Sequence, residues 1–412
     1  MKKSSILNFF YYMIAIVLII NCRSIWTTKY PAINSLDRNC FLLLLISAIA
    51  IILLKLKENE TKIVPLIIVS MILVLYFGIY ILGSTYEVSK EMDVRLASSI
   101  IILMWVINFT TSNDYRISAI LVKYKNLMVI IAIVSLFYWI FGTILHILHA
   151  NGSFQTIWTG TGLPSTIPSY NGIYFETQSL TTSYGILQRN SAIFTEGPMA
   201  ALNFGIALLI ENFQQNESKR HKFSFFILCI SIISTLSTTG YILLAIVLCY
   251  DVYFYDKFYK YRNFLLVGII AVFLIAIVFL LKEKFNVDVG SSSVRLDDYV
   301  VGVEAWKQHP FLGNGVENND YLKQFMGIWR WSNTGFSNSI TKVLSDGGIY
   351  LFVGYMFCFI KGIVDSIKTK NKEKLLIVLI VLFLFITTAF PYTYILFFLL
   401  IWFTINERYR KS

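Results

Sequence analysis

Long apolar runs, each followed by a short polar connector, repeat along almost the entire chain. About 20 consecutive apolar residues are needed for an α-helix to cross the roughly 30 Å hydrocarbon core of a bilayer. The runs therefore predict an all-α polytopic membrane protein with about twelve spans, in which residues 1–412 form a single integral membrane domain. The predicted spans are 6–22, 39–55, 63–83, 97–111, 127–148, 197–212, 223–236, 239–255, 264–281, 338–363, 375–389 and 392–405.

The composition excludes a chain of soluble domains. Hydrophobic residues make up 56% and charged residues 14% of the 412 residues, and the mean hydropathy is +0.65. The net charge is +11, but lysines and arginines concentrate in alternate short connectors, for example Lys219-Arg220-His221-Lys222, instead of forming one basic face. Because such alternation sets membrane orientation, we predict that both termini lie in the cytoplasm (N-in, C-in) and that no nucleic acid is bound.

Two connectors, about 150–196 and about 282–337, are much longer than the others and face outward in the predicted topology. Both are rich in aromatic and aliphatic residues, which is not the composition of a disordered segment. In the second connector, Ser293 can cap a helix that Pro310 ends, and Leu296 lies on its apolar face. We therefore predict ordered extracytoplasmic loops with short amphipathic helices, and we expect any chemistry on a large substrate to take place there.

The first long loop is polar but almost uncharged, since Glu176, Arg189 and Glu196 are its charged residues. Arg189 is permanently protonated and presents a planar fork that suits phosphate. Glu196 stands directly before Gly197-Pro198, an ordinary helix start. Its carboxylate is therefore either a helix-entry cap with an ion-pair partner or a functional group near the positive end of a helix, and the sequence leaves both interpretations open.

The second long loop carries Arg295, followed closely by Asp297 and Asp298. In a helix that begins at Ser293, Arg295 lies in the first turn, where the helix dipole disfavours a cation. An ion pair with Asp298, three residues on, is one explanation, and an anionic ligand is the other. His309, at the predicted end of this helix, suits a structural role better than a catalytic one. Two arginines near the membrane surface suit a lipid-linked phosphate or diphosphate.

Several short motifs in the two loops occur in a recognisable order. They are Arg189 with Glu196-Gly197-Pro198, Arg295, Glu304-Ala305-Trp306, His309-Pro310 with Gly313-Asn314-Gly315, Ser337-Asn338, and Leu344-Ser345-Asp346-Gly347-Gly348. Their order, spacing and predicted sidedness resemble the Wzy-type polysaccharide polymerase and O-antigen ligase superfamily of bacterial membranes. The resemblance covers about the C-terminal half, and about the first 150 residues resemble it only as generic membrane helices.

The resemblance implies a GT-C-like glycosyltransferase, multi-pass in the bacterial cytoplasmic membrane. Such an enzyme moves a growing O-antigen or capsule glycan from polyprenyl diphosphate to a sugar hydroxyl of the next lipid-linked unit. Arg189 and Arg295 would stabilise the departing diphosphate, and Glu196 would be the general base. The candidate substrate-binding residues are Asp297, Asp298, His309 and Asn338. The two aspartates are also the alternative bases.

The resemblance implies no cofactor, neither a metal nor a nucleotide sugar. The implied partners are the lipid-linked oligosaccharide substrate, membrane lipid and a chain-length regulator protein. One departure is Ser337 before Asn338, where ligases of the superfamily often have a histidine, and it argues against a ligase-type role. A polymerase is therefore the favoured hypothesis. The alternatives are a glycan ligase and a flippase or transporter of the same lipid-linked oligosaccharides, which would more often show an internal repeat.

Overall fold

The computed structural model describes residues 3–31, 35–84, 90–110, 117–157, 163–183, 185–213, 222–254, 256–286, 289–330 and 333–405. The α-helices in these ranges are α1 (Lys3–Asn21), α2 (Ser35–Lys55), α3 (Glu60–Gly83), α4 (Lys90–Thr110), α5 (Ala119–Tyr138), α6 (Gly197–Asn212), α7 (Lys222–Ser234), α8 (Thr238–Phe254), α9 (Arg262–Asn286), α10 (Val289–Gln308), α11 (Asn319–Lys323), α12 (Ser339–Lys368), α13 (Lys372–Thr387) and α14 (Tyr394–Thr404). The strands are β1 (Gly152–Thr156), β2 (Ser165–Tyr170), β3 (Tyr174–Phe175), β4 (Ser179–Thr182) and β5 (Gly185–Gln188).

The prediction of a mostly helical, polytopic membrane protein is confirmed. Each predicted span overlaps one of the helices. Seven helices of the described ranges are long and apolar enough to cross a membrane: α1 to α5, α9 and α12. Three more, α7, α8 and α14, are apolar but shorter. The count of about twelve spans and the N-in, C-in orientation stay predictions.

The chain forms two compact units. Unit 1 contains residues 1–22, 33–124 and 295–412, and unit 2 contains residues 23–32 and 125–294. The first long loop belongs to unit 2, and most of the second long loop belongs to unit 1. The candidate site residues of the two loops are therefore described unit by unit.

Helix ends in unit 1 are tied together by side chains. Asn21, at the end of α1, donates to Asp37 of α2 (3.2 Å) and accepts from the backbone N–H of Tyr394 at the start of α14 (2.8 Å). At the other end of α1, Lys3 pairs with Glu58, which lies between α2 and α3 (2.7 Å). The end of α1 is thus joined to the starts of α2 and α14, and the start of α1 is joined to the connector between α2 and α3.

Helix α12 is interrupted at Gly348, which has φ 58° and ψ −165°. The loop Gly313-Asn314-Gly315 docks on this interruption. The backbone N–H of Gly315 donates to Asp346 O (2.9 Å), and Asn314 Nδ2 donates to Ser345 O (2.9 Å). Gly313-Asn314-Gly315 and Ser345-Asp346 are about thirty residues apart in the sequence, and they are joined by hydrogen bonds to the backbone carbonyls of α12.

The carboxylate of Asp346, inside the apolar helix α12, is satisfied by the surrounding protein. It accepts from Lys342 Nζ (2.9 Å), Tyr392 OH (3.0 Å) and the backbone N–H of Glu317 (3.0 Å). A buried charge needs such partners, because an unpaired one is strongly destabilising. Asp346 therefore fixes the middle of the second long loop, at Glu317, against α12.

Replacement of Gly348 by alanine is expected to destabilise the protein. A Cβ at this position would lie 2.3 Å from Phe311 O and 2.7 Å from Gly313 N, and the positive φ adds roughly 1–3 kcal/mol of strain. Thermal unfolding in detergent should show a clearly lower Tm than wild type. Gly78→Ala in α3 is the control, because a Cβ there meets nothing within 4 Å. An equal Tm for the two variants would contradict the expectation.

The first long loop, in unit 2, folds as strands, which corrects the prediction of short amphipathic helices there. Strands β1, β2 and β3 form one antiparallel sheet, and β4 and β5 form a hairpin. Residues 28–30 extend the edge of β1 through backbone hydrogen bonds to Gln155 and Ile157. The helix prediction was wrong because these strands are short and largely polar, so that no periodicity marks them.

Helix α6 forms the centre of unit 2, since all of its residues are buried. Helices α7 and α8 pack against it. A buried ion pair joins Lys125 of α5 to Glu211 of α6 at 2.7 Å, with side-chain exposures of 3% and 0%. Because α6 is held on several sides, its first residues form a fixed support for the residues of the first long loop.

Candidate functional site

Helix α10 organises the second long loop. It ends at Gln308 just before His309-Pro310, as predicted, but it begins at Val289 and not at Ser293. The predicted start was too late because serine is tolerated inside a helix at a cost of up to about 0.7 kcal/mol. Arg295 consequently lies beyond the first turn, and the helix dipole no longer gives a reason against a cation there.

The two faces of α10 differ in their surroundings. Val301 and Ala305 are buried and pack against Leu322 of α11. Leu296, which the sequence places on the apolar face, is 67% exposed, and Val300 is 60% exposed. An outer face of this kind is what a helix at a membrane surface requires.

A buried arginine, Arg330, holds the loop to α10. Its Nη1 donates to Asp297 Oδ2 (3.0 Å) and to Asp298 Oδ1 (2.6 Å). Its Nε and Nη2 donate to the backbone oxygens of Asn333 (3.0 Å) and Gly335 (2.6 Å). No local pattern in the sequence marks Arg330, because its acidic partners lie 33 and 32 residues away along the chain.

Asp298 is the more deeply buried of the two acids. Its Oδ2 accepts from the backbone N–H of Ser337 (2.9 Å). Burial raises the pKa of the Asp298 carboxyl, and the bonds from Ser337 and Arg330 oppose that rise. Because Arg330 and Ser337 hydrogen-bond both of its carboxylate oxygens, Asp298 stabilises the fold and is a poor candidate base. Asp297 keeps 22% of its side chain exposed and is the more accessible alternative.

Arg295 is half-buried, and within the described ranges its guanidinium makes no hydrogen bond and no ion pair. Burial raises the pKa of the Tyr299 phenol, and the nearby positive charge of Arg295 partly opposes this rise. The ion pair with Asp298 that the sequence allowed does not form, because Asp298 is bound by Arg330 at 2.6 Å. Of the two explanations for Arg295, the ion pair is therefore excluded, and the anionic ligand stays a prediction.

Asn338 is the N-cap of α12. Its Oδ1 accepts from the backbone N–H (3.0 Å) and the hydroxyl (2.8 Å) of Thr341, and the residue is 1% exposed. His309 is exposed, and its ring lies 6.2 Å from that of Tyr321. Asn338 therefore has a structural role at the start of α12, and the binding of substrate by Asn338 and His309 stays a prediction.

In unit 2, Arg189 follows the β4–β5 hairpin directly and lies between the start of α6 and the turn that joins α7 to α8. Its Nη1 donates to Gln178 Oε1 (2.8 Å), and its Nη2 donates to Leu236 O (3.2 Å). The side chain crosses Gly197, where a Cβ would lie 3.3 Å from Arg189 Cδ. Arg189 is 5% exposed and is therefore part of the fold of the loop as well as a candidate phosphate ligand.

Glu196 occupies the N-cap of α6, with Pro198 in the first turn, as the sequence predicts. Its side chain makes no capping hydrogen bond. Among the residues that the structure describes, none donates to its half-buried carboxylate or pairs with it. The alternative of a helix-entry cap with an ion-pair partner is therefore not the arrangement observed, and the carboxylate is available to a ligand.

Two other acids of unit 2 have structural partners. Glu176 Oε1 accepts from Thr143 Oγ1 and from Tyr170 OH, both at 2.9 Å, and burial together with this bond raises the pKa of Tyr170 to about 12. Glu283, at the end of α9, accepts from the backbone N–H of Ser183 (2.7 Å) and from its hydroxyl. These acids fasten the loop and its hairpin, in contrast to Glu196.

The structure brings the candidate residues together within each unit. Arg189 packs on Gly197, the residue after Glu196, so that both candidates lie at the start of α6. Asp298 and Asn338 meet through Thr341, whose hydroxyl donates to Asn338 Oδ1 (2.8 Å) and contacts Asp298 O (3.4 Å). The start of α12 is thereby joined to the helix that carries Arg295.

Part of the chain is similar to a known protein family. Residues 223–356 match the family described as O-antigen ligase, from α7 into α12. The matched region includes Arg295 and Asn338, whereas Arg189 and Glu196 precede it. A comparison with curated proteins gives no match. The resemblance predicted from the sequence, to the Wzy-type polymerase and O-antigen ligase superfamily, is thereby confirmed over residues 223–356.

Proposed function

We propose that the protein is a membrane glycosyltransferase that polymerises polyprenyl-diphosphate-linked oligosaccharide units into O-antigen or capsule. It would act at the outer face of the bacterial cytoplasmic membrane. The observation that carries this proposal is Arg295, a half-buried guanidinium with no counter-ion in the described chain, inside the region that matches the family. A planar guanidinium in this state suits the bidentate recognition of a phosphate group.

The proposed reaction is a substitution at an anomeric carbon. The oxygen of the acceptor hydroxyl forms a bond to that carbon, the bond from the carbon to the diphosphate oxygen breaks, and the hydroxyl proton passes to Glu196. As the resemblance to the family implies, Arg295 and Arg189 would stabilise the negative charge that builds on the leaving diphosphate. Because the lipid diphosphate is itself the activated leaving group, the reaction needs no nucleotide sugar or metal.

A ligase that transfers the finished glycan to another acceptor is the second candidate, since the matching family is described as O-antigen ligase. Ser337 argues for the polymerase. This residue stands where many ligases of the superfamily have a histidine, and here its backbone N–H donates to Asp298 (2.9 Å). A serine at this position cannot supply the imidazole that a histidine-based transfer requires.

The glycans of cells that lack the protein distinguish the candidates. A polymerase defect leaves single repeat units on the final acceptor and no longer chains, which is the expected result. A ligase defect instead accumulates long polymer on the lipid carrier. A flippase defect leaves single lipid-linked units on the cytoplasmic face. Either of these two outcomes would contradict the proposal, and a glycan ladder from purified protein and lipid-linked repeat units would support it directly.

A further inference from the structure

Each backbone N–H group in the first turn of α6 has a hydrogen-bond acceptor other than the side chain of Glu196. Helix starts leave backbone donors without intrahelical partners, and the N-cap side chain ordinarily accepts from them. Here the N–H groups of Met199 and Ala200 donate to Glu196 O, both at 3.1 Å, and Pro198 has no N–H. The remaining donor, the N–H of Gly197, is bound by Gln178 Oε1 at 3.1 Å.

The same oxygen of Gln178 accepts a second hydrogen bond, from Arg189 Nη1 at 2.8 Å. Both partners can only donate, so the orientation of the Gln178 amide is determined by chemistry. The two groups that would otherwise attract the carboxylate of Glu196 are a helix N-terminus and a neighbouring guanidinium. Gln178 occupies one donor on each of them.

Gln178 is itself held in place by the hairpin that it opens. Its backbone oxygen accepts from the N–H of Arg189 at 3.1 Å, so residues 178 and 189 close the base of the β4–β5 hairpin. At the other end, Ser183 is fastened to Glu283 of α9 by bonds of 2.7 to 3.0 Å. The position of the Gln178 side chain therefore follows from two anchored ends.

We propose that Gln178 is a positioning residue that keeps the Glu196 carboxylate away from Arg189 and from the start of α6. With Gln178 present, one neutral oxygen satisfies both donors and Glu196 stays available to the acceptor hydroxyl. Without it, Glu196 turns back to cap the helix and pair with the guanidinium. The catalytic consequence rests on the proposed function, whereas the release of the carboxylate does not.

Chemical labelling tests the release of Glu196 independently of activity. A water-soluble carbodiimide with a small amine modifies accessible carboxylates, and mass spectrometry of the intact, detergent-solubilised protein after digestion reports the extent at Glu196. In Gln178→Leu, which lacks the acceptor, labelling of Glu196 is expected to fall roughly fivefold, the shift in population that one hydrogen bond of ordinary strength produces. Thr177→Val is the matched control, because the Thr177 hydroxyl has no hydrogen-bond partner among the described residues.

Gln178→Glu provides the complementary variant, since its carboxylate can accept both hydrogen bonds. Labelling of Glu196 should stay at the wild-type level. A second carboxylate beside Glu196 favours its protonated form, so the acid limb of the pH dependence of kcat should move to higher pH. Should Gln178→Leu fail to accumulate, Gln178→Asn, whose oxygen is one methylene farther from both donors, provides the same comparison.

The outcomes separate the positioning role from the function. Reduced labelling in Gln178→Leu, with kcat lower by about the same fivefold factor and KM unchanged, supports both. Reduced labelling with a wild-type kcat supports the positioning role and contradicts Glu196 as the base. Wild-type labelling and an unchanged pH dependence in both variants would overturn the proposal for Gln178.

Discussion

Replacement of Arg295 by alanine is expected to lower the rate of polymer formation by about 10²–10³-fold, the usual effect of removing one group that stabilises a developing negative charge. The stability of the protein should be unchanged, because the described structure shows no hydrogen bond or ion pair that the substitution would break. Glycan ladders from purified protein in liposomes measure the rate, and thermal unfolding measures the stability. A variant of normal stability that makes wild-type ladders would remove Arg295 from the mechanism.

Two variants serve as controls for Arg295→Ala. Arg295→Lys keeps the charge but loses the bidentate fork, so it should recover only part of the rate. Arg330→Ala, in contrast to Arg295→Ala, should lower the stability of the protein. It leaves Asp298, which is 0% exposed, as an unpaired buried charge, and breaking such a pair costs about 3–5 kcal/mol. Low accumulation of Arg330→Ala beside normal accumulation of Arg295→Ala would separate a structural arginine from a functional one.

The membrane helices could be predicted from the sequence because apolar composition over about 20 residues is a local signal. Helix α10 could be predicted for a similar reason, since Pro310 marks its end. The strands of the first long loop could not, because they are short and the edge of β1 is extended by residues 28–30, a distant segment of the chain. The general fold therefore follows from local composition, whereas the loop folds follow from non-local contacts.

The same distinction applies to the site residues. Arg189, Glu196 and Arg295 could be selected from charge in loops that otherwise contain little of it. The hydrogen-bond and ion-pair partners around these residues could not be predicted. Asp298, the candidate partner of Arg295, is bound by Arg330, and the N–H of Gly197 beside Glu196 is bound by Gln178. Both partners are distant in sequence and have no motif of their own. A sequence can thus identify the charged residues of such a site, but only the structure shows which of them are free of partners in the described chain.

Glu196→Gln is expected to fold normally and to lower the rate of polymer formation by about 10²–10⁴-fold, the usual effect of removing a general base. Glutamine keeps the size of the side chain and its place at the start of α6, but it cannot take the proton of the acceptor hydroxyl. Stability should be unaffected, because no hydrogen bond to the carboxylate is present in the part of the chain that the structure describes.

The control for Glu196→Gln is Glu176→Gln in the same loop. Both hydrogen bonds to Glu176, from Thr143 and Tyr170, reach one oxygen, Oε1, and the amide of glutamine retains that acceptor, so this variant should keep both its stability and its turnover. The rate per folded molecule, with thermal unfolding to show that both variants are folded, distinguishes the two variants. If Glu196→Gln makes polymer at a near-normal rate, the role of base passes to Asp297, which keeps 22% of its side chain exposed, ahead of Asp298, which Arg330 and Ser337 hold on both carboxylate oxygens.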